Sequence, residues 1–219
     1  MIKTSPSILA ADFTDMRSGI RAVLENGADW IHCDVMDGVF VPTISFGPKM
    51  IADMRRFTGK EAFLDVHLMI WKPERCLEQF AEAGASQITV HAEAAEDLAA
   101  AIRKIHSLGA KAGVSINPDT SEEVILPYLS EIDTVLCMTV VPGSGGQKLI
   151  ESVIPKIRRI AEIRRKHGYA YEIEVDGGVR VENAPVLREA GVTAFVAGSA
   201  FFGAEDKKRF LGILRGETV

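Results

Sequence analysis

The sequence predicts an α/β protein whose eight parallel strands close into a (β/α)8 barrel, also known as a TIM barrel. Short runs rich in β-branched residues alternate with longer stretches of helical periodicity along the 219 residues. Glycines follow the predicted helices, at Gly27, Gly84, Gly109 and Gly191. Because glycine readily adopts the left-handed conformation that closes a helix, these positions mark helix ends. Eight strand–helix units in a chain of 219 residues are typical of a closed parallel barrel.

The candidate strands alternate with helical stretches in a regular order. The strands, in chain order, are Ser5–Leu9, Trp30–Met36, Ala62–Met69, Gln87–His91, Ala112–Ile116, Thr134–Thr139, Tyr171–Val175 and Ala194–Ala197. Helical periodicity is clearest over Phe13–Asn26, Pro73–Ala83 and Ala95–Leu108. An open, doubly wound sheet is the alternative, but its usual glycine-rich turn is absent after the first strand. No linker interrupts the pattern, so residues 1–219 are expected to form one domain.

Composition limits the possible partners. Hydrophobic residues make up 47% of the chain, charged residues make up 25%, and the net charge is -5. This balance argues against a nucleic-acid surface built on positive charge. We find no apolar run long enough to cross a bilayer and no secretory signal. The cysteines Cys33, Cys76 and Cys137 form no CxxC pair, which favours reduced thiols and a cytoplasmic location.

Two histidines and two aspartates lie near the C-terminal ends of predicted strands, where barrel enzymes carry out their chemistry. Alternation along the second strand places His32 and Asp34 on one face. His67 and Asp176 lie near the ends of the third and seventh strands. Two imidazoles and two carboxylates that converge can ligate one Zn²⁺, Mn²⁺, Fe(II) or Co²⁺ ion. Each residue alone could be a core histidine or a helix-capping aspartate, but together they predict a metal site.

Glycine-rich loops follow the last three predicted strands. They are Gly143-Ser144-Gly145-Gly146, Gly177-Gly178 and Gly198-Ser199. Glycines let backbone N–H groups turn toward an anion, and loops after the late strands of a barrel frequently bind phosphate. None of these loops carries the GK[ST] sequence of a nucleoside triphosphate site. They predict a site for a small phosphorylated ligand.

Six segments of the chain, in order from Ser5 to about Phe202, together resemble the ribulose-phosphate 3-epimerase family. These segments are Ser5-Pro6-Ser7-Ile8-Leu9, His32-x-Asp34-x-Met36-Asp37-Gly38-x-Phe40-Val41-Pro42, Asp65-Val66-His67-Leu68-Met69, Pro142-Gly143-x-Gly145-Gly146-Gln147, Glu174-Val175-Asp176-Gly177-Gly178 and Ala197-Gly198-Ser199. Single segments are not specific, but the combination covers nearly the whole chain.

The resemblance implies a barrel of the ribulose-phosphate-binding type with one divalent metal ion held by His32, Asp34, His67 and Asp176. It also implies that Asp34 and Asp176 form the acid–base pair of a C3 epimerisation, expected to convert D-ribulose 5-phosphate to D-xylulose 5-phosphate through an ene-diolate. A homo-oligomer, either a dimer or a hexamer, is expected on the same ground. The implied substrate contacts are Ser7, Met36, His67, Met69, Met138, Gly143, Ser144, Gly145, Gly146, Asp176, Gly177, Gly178, Gly198 and Ser199.

The sequence departs from the family pattern at four loop positions. Val39 replaces a frequent histidine, Thr43 an asparagine, Val141 an asparagine, and Ser144 a bulky aromatic residue. All four are expected over the barrel mouth, where substrate length is decided. A hexulose phosphate such as D-allulose 6-phosphate is therefore an alternative substrate.

Two further alternatives have other chemistry. Metal-independent lyases and decarboxylases of related barrels use an Asp-x-Lys-x-x-Asp set, whereas this chain has Asp34-Val35-Met36-Asp37 without a lysine. A non-catalytic sugar-phosphate binder should have lost a ligand or an aspartate, and this chain retains all four. Both alternatives are less well supported by the residues than an epimerase.

Overall fold

The computed structural model describes residues 1–217, and eight parallel strands form its centre. The strands are β1 Lys3–Pro6, β2 Trp30–Met36, β3 Phe63–Met69, β4 Gln87–His91, β5 Lys111–Ile116, β6 Thr134–Met138, β7 Glu172–Asp176 and β8 Ala194–Ala197. They pair in the order β1-β8-β7-β6-β5-β4-β3-β2. A parallel bridge between Ser7 and His32 joins the two outer strands, so the sheet is a nearly closed barrel. The predicted barrel is confirmed, and the open-sheet alternative is wrong.

Helices cover the outside of the barrel. They are α1 Met16–Glu25, α2 Pro48–Thr58, α3 Leu77–Glu82, α4 Leu98–Ser107, α5 Ile154–His167, α6 Ala184–Glu189, α7 Ser199–Phe202 and α8 Lys207–Arg215. Between β5 and β6 the expected α-helix is replaced by two 3-10 turns, Glu122–Val124 and Leu126–Tyr128. Pro127 lies inside the second turn, and a proline removes a helical N–H donor and clashes with the preceding turn. The connection therefore continues as short turns.

The first strand was predicted too late in the chain. It was expected over Ser5–Leu9 but spans Lys3–Pro6, and Ile8–Ala10 form a 3-10 turn. The Ser7 hydroxyl accepts a hydrogen bond from the Leu9 N–H and caps this turn. A serine that caps a turn competes with continuation of the strand. Ser7 consequently lies just beyond β1, at the barrel mouth.

The helix boundaries also follow local caps. The stretch predicted as one helix from Phe13 begins with a 3-10 turn, and α1 starts only at Met16. The α4 helix starts at Leu98 because the Asp97 carboxylate accepts a hydrogen bond of 2.9 Å from the Ala100 N–H. The four predicted helix-closing glycines all have positive φ, for example 99° at Gly84. That part of the prediction is confirmed.

The two faces of each strand have different roles. On β2, Cys33 and Val35 belong to the large apolar cluster between sheet and helices. His32 and Asp34 alternate with these residues and therefore lie on the other face of β2. They pair with Asp65 and His67 of β3. Alternation thus packs apolar groups under the helices and places polar groups inside the barrel. Within residues 1–217, no helix has the length and apolar character needed to cross a membrane.

Candidate active site

A cavity of about 320 Å³ opens at the C-terminal ends of the strands. Its floor contains Asp34, Asp176 and three methionine side chains, and its rim is formed by the loops after β6, β7 and β8. The predicted residues that line it are Ser7, Asp34, Met36, Met69, Met138, Ser144, Gly145, Gly146, Asp176, Gly177, Gly178, Gly198 and Ser199. The strand ends and the glycine loops therefore meet in one place, as expected from the direction of the strands.

Three of the predicted residues do not line this cavity. His32 and His67 are completely buried beneath its floor. Gly143 packs against Val41, and its carbonyl oxygen accepts a hydrogen bond from the Thr43 hydroxyl. The family resemblance implies that Gly143 and His67 contact the substrate directly, but neither residue lines this cavity.

The four predicted metal ligands come together at the floor, with Asp34 and Asp176 in it and the two histidines beneath. Each offers one donor atom, and these atoms all lie within 4.8 Å of one another. Asp34 Oδ1 lies 3.1 Å from His32 Nε2 and 3.1 Å from His67 Nδ1. Asp176 Oδ2 lies 3.9 Å from His67 Nδ1. Donors about 2.0–2.2 Å from a common ion stand roughly 3–3.5 Å apart, so Asp34 and the two histidines already have suitable spacing and Asp176 would complete the set by moving closer.

Strand register positions these groups. On β2 and β3 the partners Asp34 and His67 lie side by side. Asp176 ends β7, and the Thr139 hydroxyl donates hydrogen bonds of 2.9 and 2.6 Å to the carbonyl oxygens of Asp176 and Gly177. The Ser7 hydroxyl donates to Asp34 Oδ2 at 2.5 Å. Ser7 therefore orients the Asp34 carboxylate, and Thr139 holds the backbone that carries Asp176.

A polar network holds His32 from below. His32 Nδ1–H donates to Asp65 Oδ2 at 2.7 Å, because a carboxylate can only accept at that position. Asp65 also accepts hydrogen bonds from the Ser5 hydroxyl at 3.1 Å and from Gln87 Nε2 at 2.9 Å. With Nδ1 engaged, Nε2 of His32 is the nitrogen that faces the donor cluster. A carboxylate behind a ligand histidine is a common arrangement in metal sites.

A second chain of side chains lies behind His67. His67 Nε2 and His91 Nε2 lie 2.8 Å apart, with the ring centroids 4.9 Å apart and the ring planes inclined by 26°. His91 Nδ1 lies 3.2 Å from Glu93 Oε2. Burial lowers the pKa of His91 to about 4, even though Glu93 acts in the opposite direction. His91 is therefore neutral at pH 7.

The two aspartates differ in charge state in the metal-free protein. Burial opposes ionisation of Asp34, but the adjacent His32 outweighs it and holds the pKa of Asp34 well below the usual range. Burial and the negative charge of Asp34 raise the pKa of Asp176 to about 7. For His32, burial disfavours the charged form, yet Asp34 and Asp65 raise its pKa. One floor carboxylate is thus ionised while the other can hold a proton near neutral pH.

The opposite rim carries the glycine loops. Gly178 has φ of 67°, and a Cβ there would lie 2.3 Å from the Leu149 backbone nitrogen. Gly198 and Ser199 precede and begin the short helix α7. Arg180 lines the same cavity, and its side chain forms no ion pair with any residue in the described range 1–217. Backbone N–H groups and a free guanidinium together make this rim suitable for an anion.

Several site residues were not predicted from the sequence. They are Arg180 at the rim, the partly buried Glu93, and the buried Asp65, Gln87, His91 and Glu174. Period-two alternation back from His67 and Asp176 places Asp65 and Glu174 on the inward face, but it does not show which buried groups they meet. Glu174 is fully buried, and neither carboxyl oxygen has a hydrogen-bond partner. Burial and the charge of Asp65 raise its pKa, which favours the neutral acid.

Comparison with known proteins identifies relatives along the full length. The family model described as "Ribulose-phosphate 3 epimerase family" matches residues 3–202. The ribulose-phosphate 3-epimerase of Bacillus subtilis (strain 168) is 48% identical over 217 residues, covering 99% of this chain and 99% of the relative. The ribulose-phosphate 3-epimerase of Synechocystis sp. is 47% identical over 205 residues, covering 93% of this chain and 88% of the relative.

A solved structure supports the fold independently. The 3-keto-L-gulonate-6-phosphate decarboxylase of Vibrio cholerae superimposes with a TM-score of 0.73 at 17% sequence identity, covering 98% of this chain and 96% of that chain. At this identity the likeness concerns the barrel alone and does not transfer decarboxylase chemistry. Together, the family match and the full-length relatives show that the chain belongs to the ribulose-phosphate 3-epimerase family and is a sugar-phosphate 3-epimerase, an isomerase acting on carbohydrates.

Proposed function

We propose that this epimerase interconverts D-ribulose 5-phosphate and D-xylulose 5-phosphate, with a divalent metal ion and with Asp34 and Asp176 as the acid–base pair. The observation that carries the proposal is the meeting of both carboxylates with two histidines on the floor of a cavity whose rim suits a phosphate. The full-length epimerase relatives agree with this substrate class.

The donor chemistry supports a cation. Asp34 Oδ1 lies 3.1 Å from one nitrogen of each histidine, and Asp176 completes a set of two nitrogens and two oxygens. Zn²⁺, Mn²⁺, Fe(II) and Co²⁺ accept such ligands. When bound, the ion would supply positive charge beside the negative charge that develops on the substrate oxygens.

The two aspartates can move the proton. Epimerisation beside a ketone removes a C–H proton from one face of the carbon and returns one to the other, which is most simply done by one group per face. Asp34 and Asp176 extend from β2 and β7, and both line the cavity. The low pKa of Asp34 and the raised pKa of Asp176 suit one base and one acid. We assign each of them one role in each direction, through an ene-diolate.

The remaining cavity walls bind and shield the substrate. Met36, Met69 and Met138 are nearly fully buried and cover the floor with apolar atoms. They limit access of water to the carbon that loses its proton. The glycine loops, with Arg180, would bind the phosphate and thereby hold C3 between the carboxylates. This arrangement uses binding energy at the phosphate for positioning at the reacting carbon.

A metal-reconstitution assay tests the proposal. The protein is stripped with a chelator, each of the four metals is added back singly, and turnover of D-ribulose 5-phosphate is measured. We expect activity to be lost on stripping and regained with at least one metal. Undiminished turnover by protein shown to be metal-free by elemental analysis would contradict the metal-dependent mechanism.

D-allulose 6-phosphate is the second candidate substrate, favoured by the outer loops. Ser144 lines the cavity with a small side chain, while Val39 and Val141 are 72% and 62% exposed and do not line it. The small side chain of Ser144 favours room for a ketose one carbon longer. Comparing kcat/KM for the two phosphates distinguishes the candidates. A homo-oligomeric state and a cytoplasmic location stay predictions.

A further inference from the structure

We infer that Glu93, acting through His91, is a positioning residue that fixes the tautomer of His67 so that Nδ1 presents its lone pair to the metal. The inference deepens the proposed metal site and rests on it for the identity of the ligand. It concerns two residues, His91 and Glu93, that lie outside the donor cluster.

The chain of hydrogen bonds begins at Glu93. Its Oε1 accepts hydrogen bonds from the Asn117 N–H at 2.7 Å and from the Thr120 hydroxyl. The Asn117 N–H and the Thr120 hydroxyl both donate to Oε1 and hold it in place. The other oxygen, Oε2, is thereby directed at His91. Burial alone would raise the pKa of Glu93, but hydrogen bonds from His91, Asn117 and Thr120 lower it to about 2. Glu93 is therefore an ionised acceptor.

The proton positions on the two rings follow in order. Glu93 Oε2 can only accept, so His91 carries its proton on Nδ1. With that one proton on Nδ1, His91 has a lone pair on Nε2, which lies 2.8 Å from His67 Nε2. His67 must donate there, so its proton is on Nε2 and its Nδ1 is unprotonated. That Nδ1 is the atom that lies 3.1 Å from Asp34 Oδ1.

These proton positions leave two hydrogen-bond acceptors facing each other. His67 Nδ1 and Asp34 Oδ1 have no proton between them, and both are completely or almost completely buried. Two buried lone pairs at that distance repel unless a cation lies between or beside them. Glu93 thus prepares the donor cluster for a metal ion, since it prevents His67 from neutralising the contact with its own proton.

The arrangement also holds the rings rigidly. His91 is hydrogen-bonded to His67 along one edge and contacts Phe40 on another side, with the His91 and Phe40 ring centroids 4.7 Å apart. It has no exposed surface. Because neither ring can turn without breaking a buried hydrogen bond, the lone pair on His67 has a fixed direction.

The Glu93→Gln variant provides a sharp test because it should reverse the direction of the hydrogen bonds that run from residue 93 through His91 to His67. The amide oxygen keeps the hydrogen bonds from Asn117 and Thr120, so the NH₂ group faces His91 Nδ1 and donates. His91 then carries its proton on Nε2 and donates to His67 Nε2, which moves the His67 proton to Nδ1. The metal must displace this proton. We expect Co²⁺ and Zn²⁺ affinity to fall by about 10- to 100-fold.

Two readouts separate positioning from general structural support. Protein labelled with ¹⁵N-histidine is stripped of metal, and long-range ¹H–¹⁵N spectra report which nitrogen of each ring is protonated. Metal affinity is measured by competition with a chromophoric chelator. Glu96→Gln, a change at an exposed carboxylate that pairs with Lys72, is the matched control and should alter neither readout.

The outcomes decide the inference. An Nε2–H tautomer of His67 in the unaltered protein, inverted in Glu93→Gln, supports it. A proton on His67 Nδ1 in the unaltered metal-free protein overturns it, and this measurement requires no variant to fold. Equal metal affinity in Glu93→Gln and Glu96→Gln also overturns it. Absence of metal binding by the unaltered protein would instead refute the proposed function, so the two failures are distinguishable.

Discussion

The Thr43 hydroxyl donates a hydrogen bond of 2.5 Å to the carbonyl oxygen of Gly143, and this bond ties the loop after β2 to the glycine loop after β6. The two residues are 100 positions apart in the sequence. Thr43 is one of the positions that depart from the pattern of the resembled family. It restrains the loop that carries Ser144, Gly145 and Gly146 over the cavity.

Thr43→Val should loosen the glycine loop while preserving side-chain shape. A neutral hydrogen bond contributes about 1 kcal/mol, so we expect KM for the ketose phosphate to rise about fivefold with little change in kcat. Steady-state kinetics provide the measurement, and Thr43→Ser, which keeps the hydroxyl, is the control. Identical KM values for the valine and serine variants would show that the bond does not restrain the loop.

Asp176→Asn should remove one of the two proton-transfer groups. We expect kcat to fall by about 10²- to 10⁴-fold, together with loss of exchange of the substrate C3 proton with solvent. Proton NMR in D₂O measures the exchange directly. The surface change Asp53→Asn is the control for folding and for loss of a carboxylate. Full exchange of the C3 proton by the Asp176→Asn variant would exclude Asp176 as an acid or base.

Metal affinity should depend on pH in a defined direction. Burial and the charge of Asp34 raise the pKa of Asp176 to about 7 in the metal-free protein, so below that pH a bound proton must leave before the metal can bind. Affinity for Zn²⁺ is therefore expected to weaken as pH falls from 7.5 to about 6.

Calorimetry in buffers with different ionisation enthalpies counts the protons that are released. At pH about 6, Asp176→Asn should release fewer protons than the unaltered protein, because asparagine has none to lose. Equal proton release by the two proteins would place the titrating group elsewhere.

Arg180→Gln should weaken phosphate binding specifically. The guanidinium lines the rim of the cavity and lies on the exposed surface, so its contribution is modest. We expect KM and the inhibition constant of inorganic phosphate to rise together by about three- to tenfold, with kcat unchanged. Arg103→Gln on α4 is the matched control. A lower kcat at unchanged KM would argue that Arg180 acts on the reacting carbon instead.

Gly178→Ala should destabilise the protein through the backbone. Gly178 has φ of 67°, and the added Cβ would lie 2.3 Å from Leu149 N and 2.7 Å from Leu149 Cα. Backbone atoms cannot move aside easily, so the free energy of unfolding should fall by about 1–3 kcal/mol. Gly145→Ala is the control, because nothing lies within 4 Å of its added Cβ. Chemical denaturation measures both, and equal stabilities would contradict the steric argument.

Much of the centre of the site could be predicted from local pattern. His32 and Asp34 are two residues apart on one strand, so alternation alone places them on the same face. Asp176 and the glycines that follow it lie where a parallel strand ends. Because all parallel strands of a barrel end at one rim, residues at several strand ends are expected together without knowledge of the pairing. The carboxylates, the histidines and the phosphate loops follow from these two regularities.

Boundaries were less predictable where a side chain or a proline competes with the regular pattern. Ser7 caps a turn where the strand was expected to continue, and Pro127 lies in a short turn where a helix was expected. Such local competition is decided by single hydrogen bonds of the backbone, which apolar periodicity does not report.

The sequence by itself determined the barrel, the four candidate ligands and the glycine loops, since each depends on period-two alternation or on strand direction. Only the tertiary structure decided that His91 lies behind His67, that Asp65 lies behind His32, and that Arg180 reaches the cavity. These contacts join residues on different strands or loops and depend on register, on barrel closure and on side-chain direction. A difference of one residue in register would turn the buried partners to the opposite face, and no local sequence pattern specifies that choice.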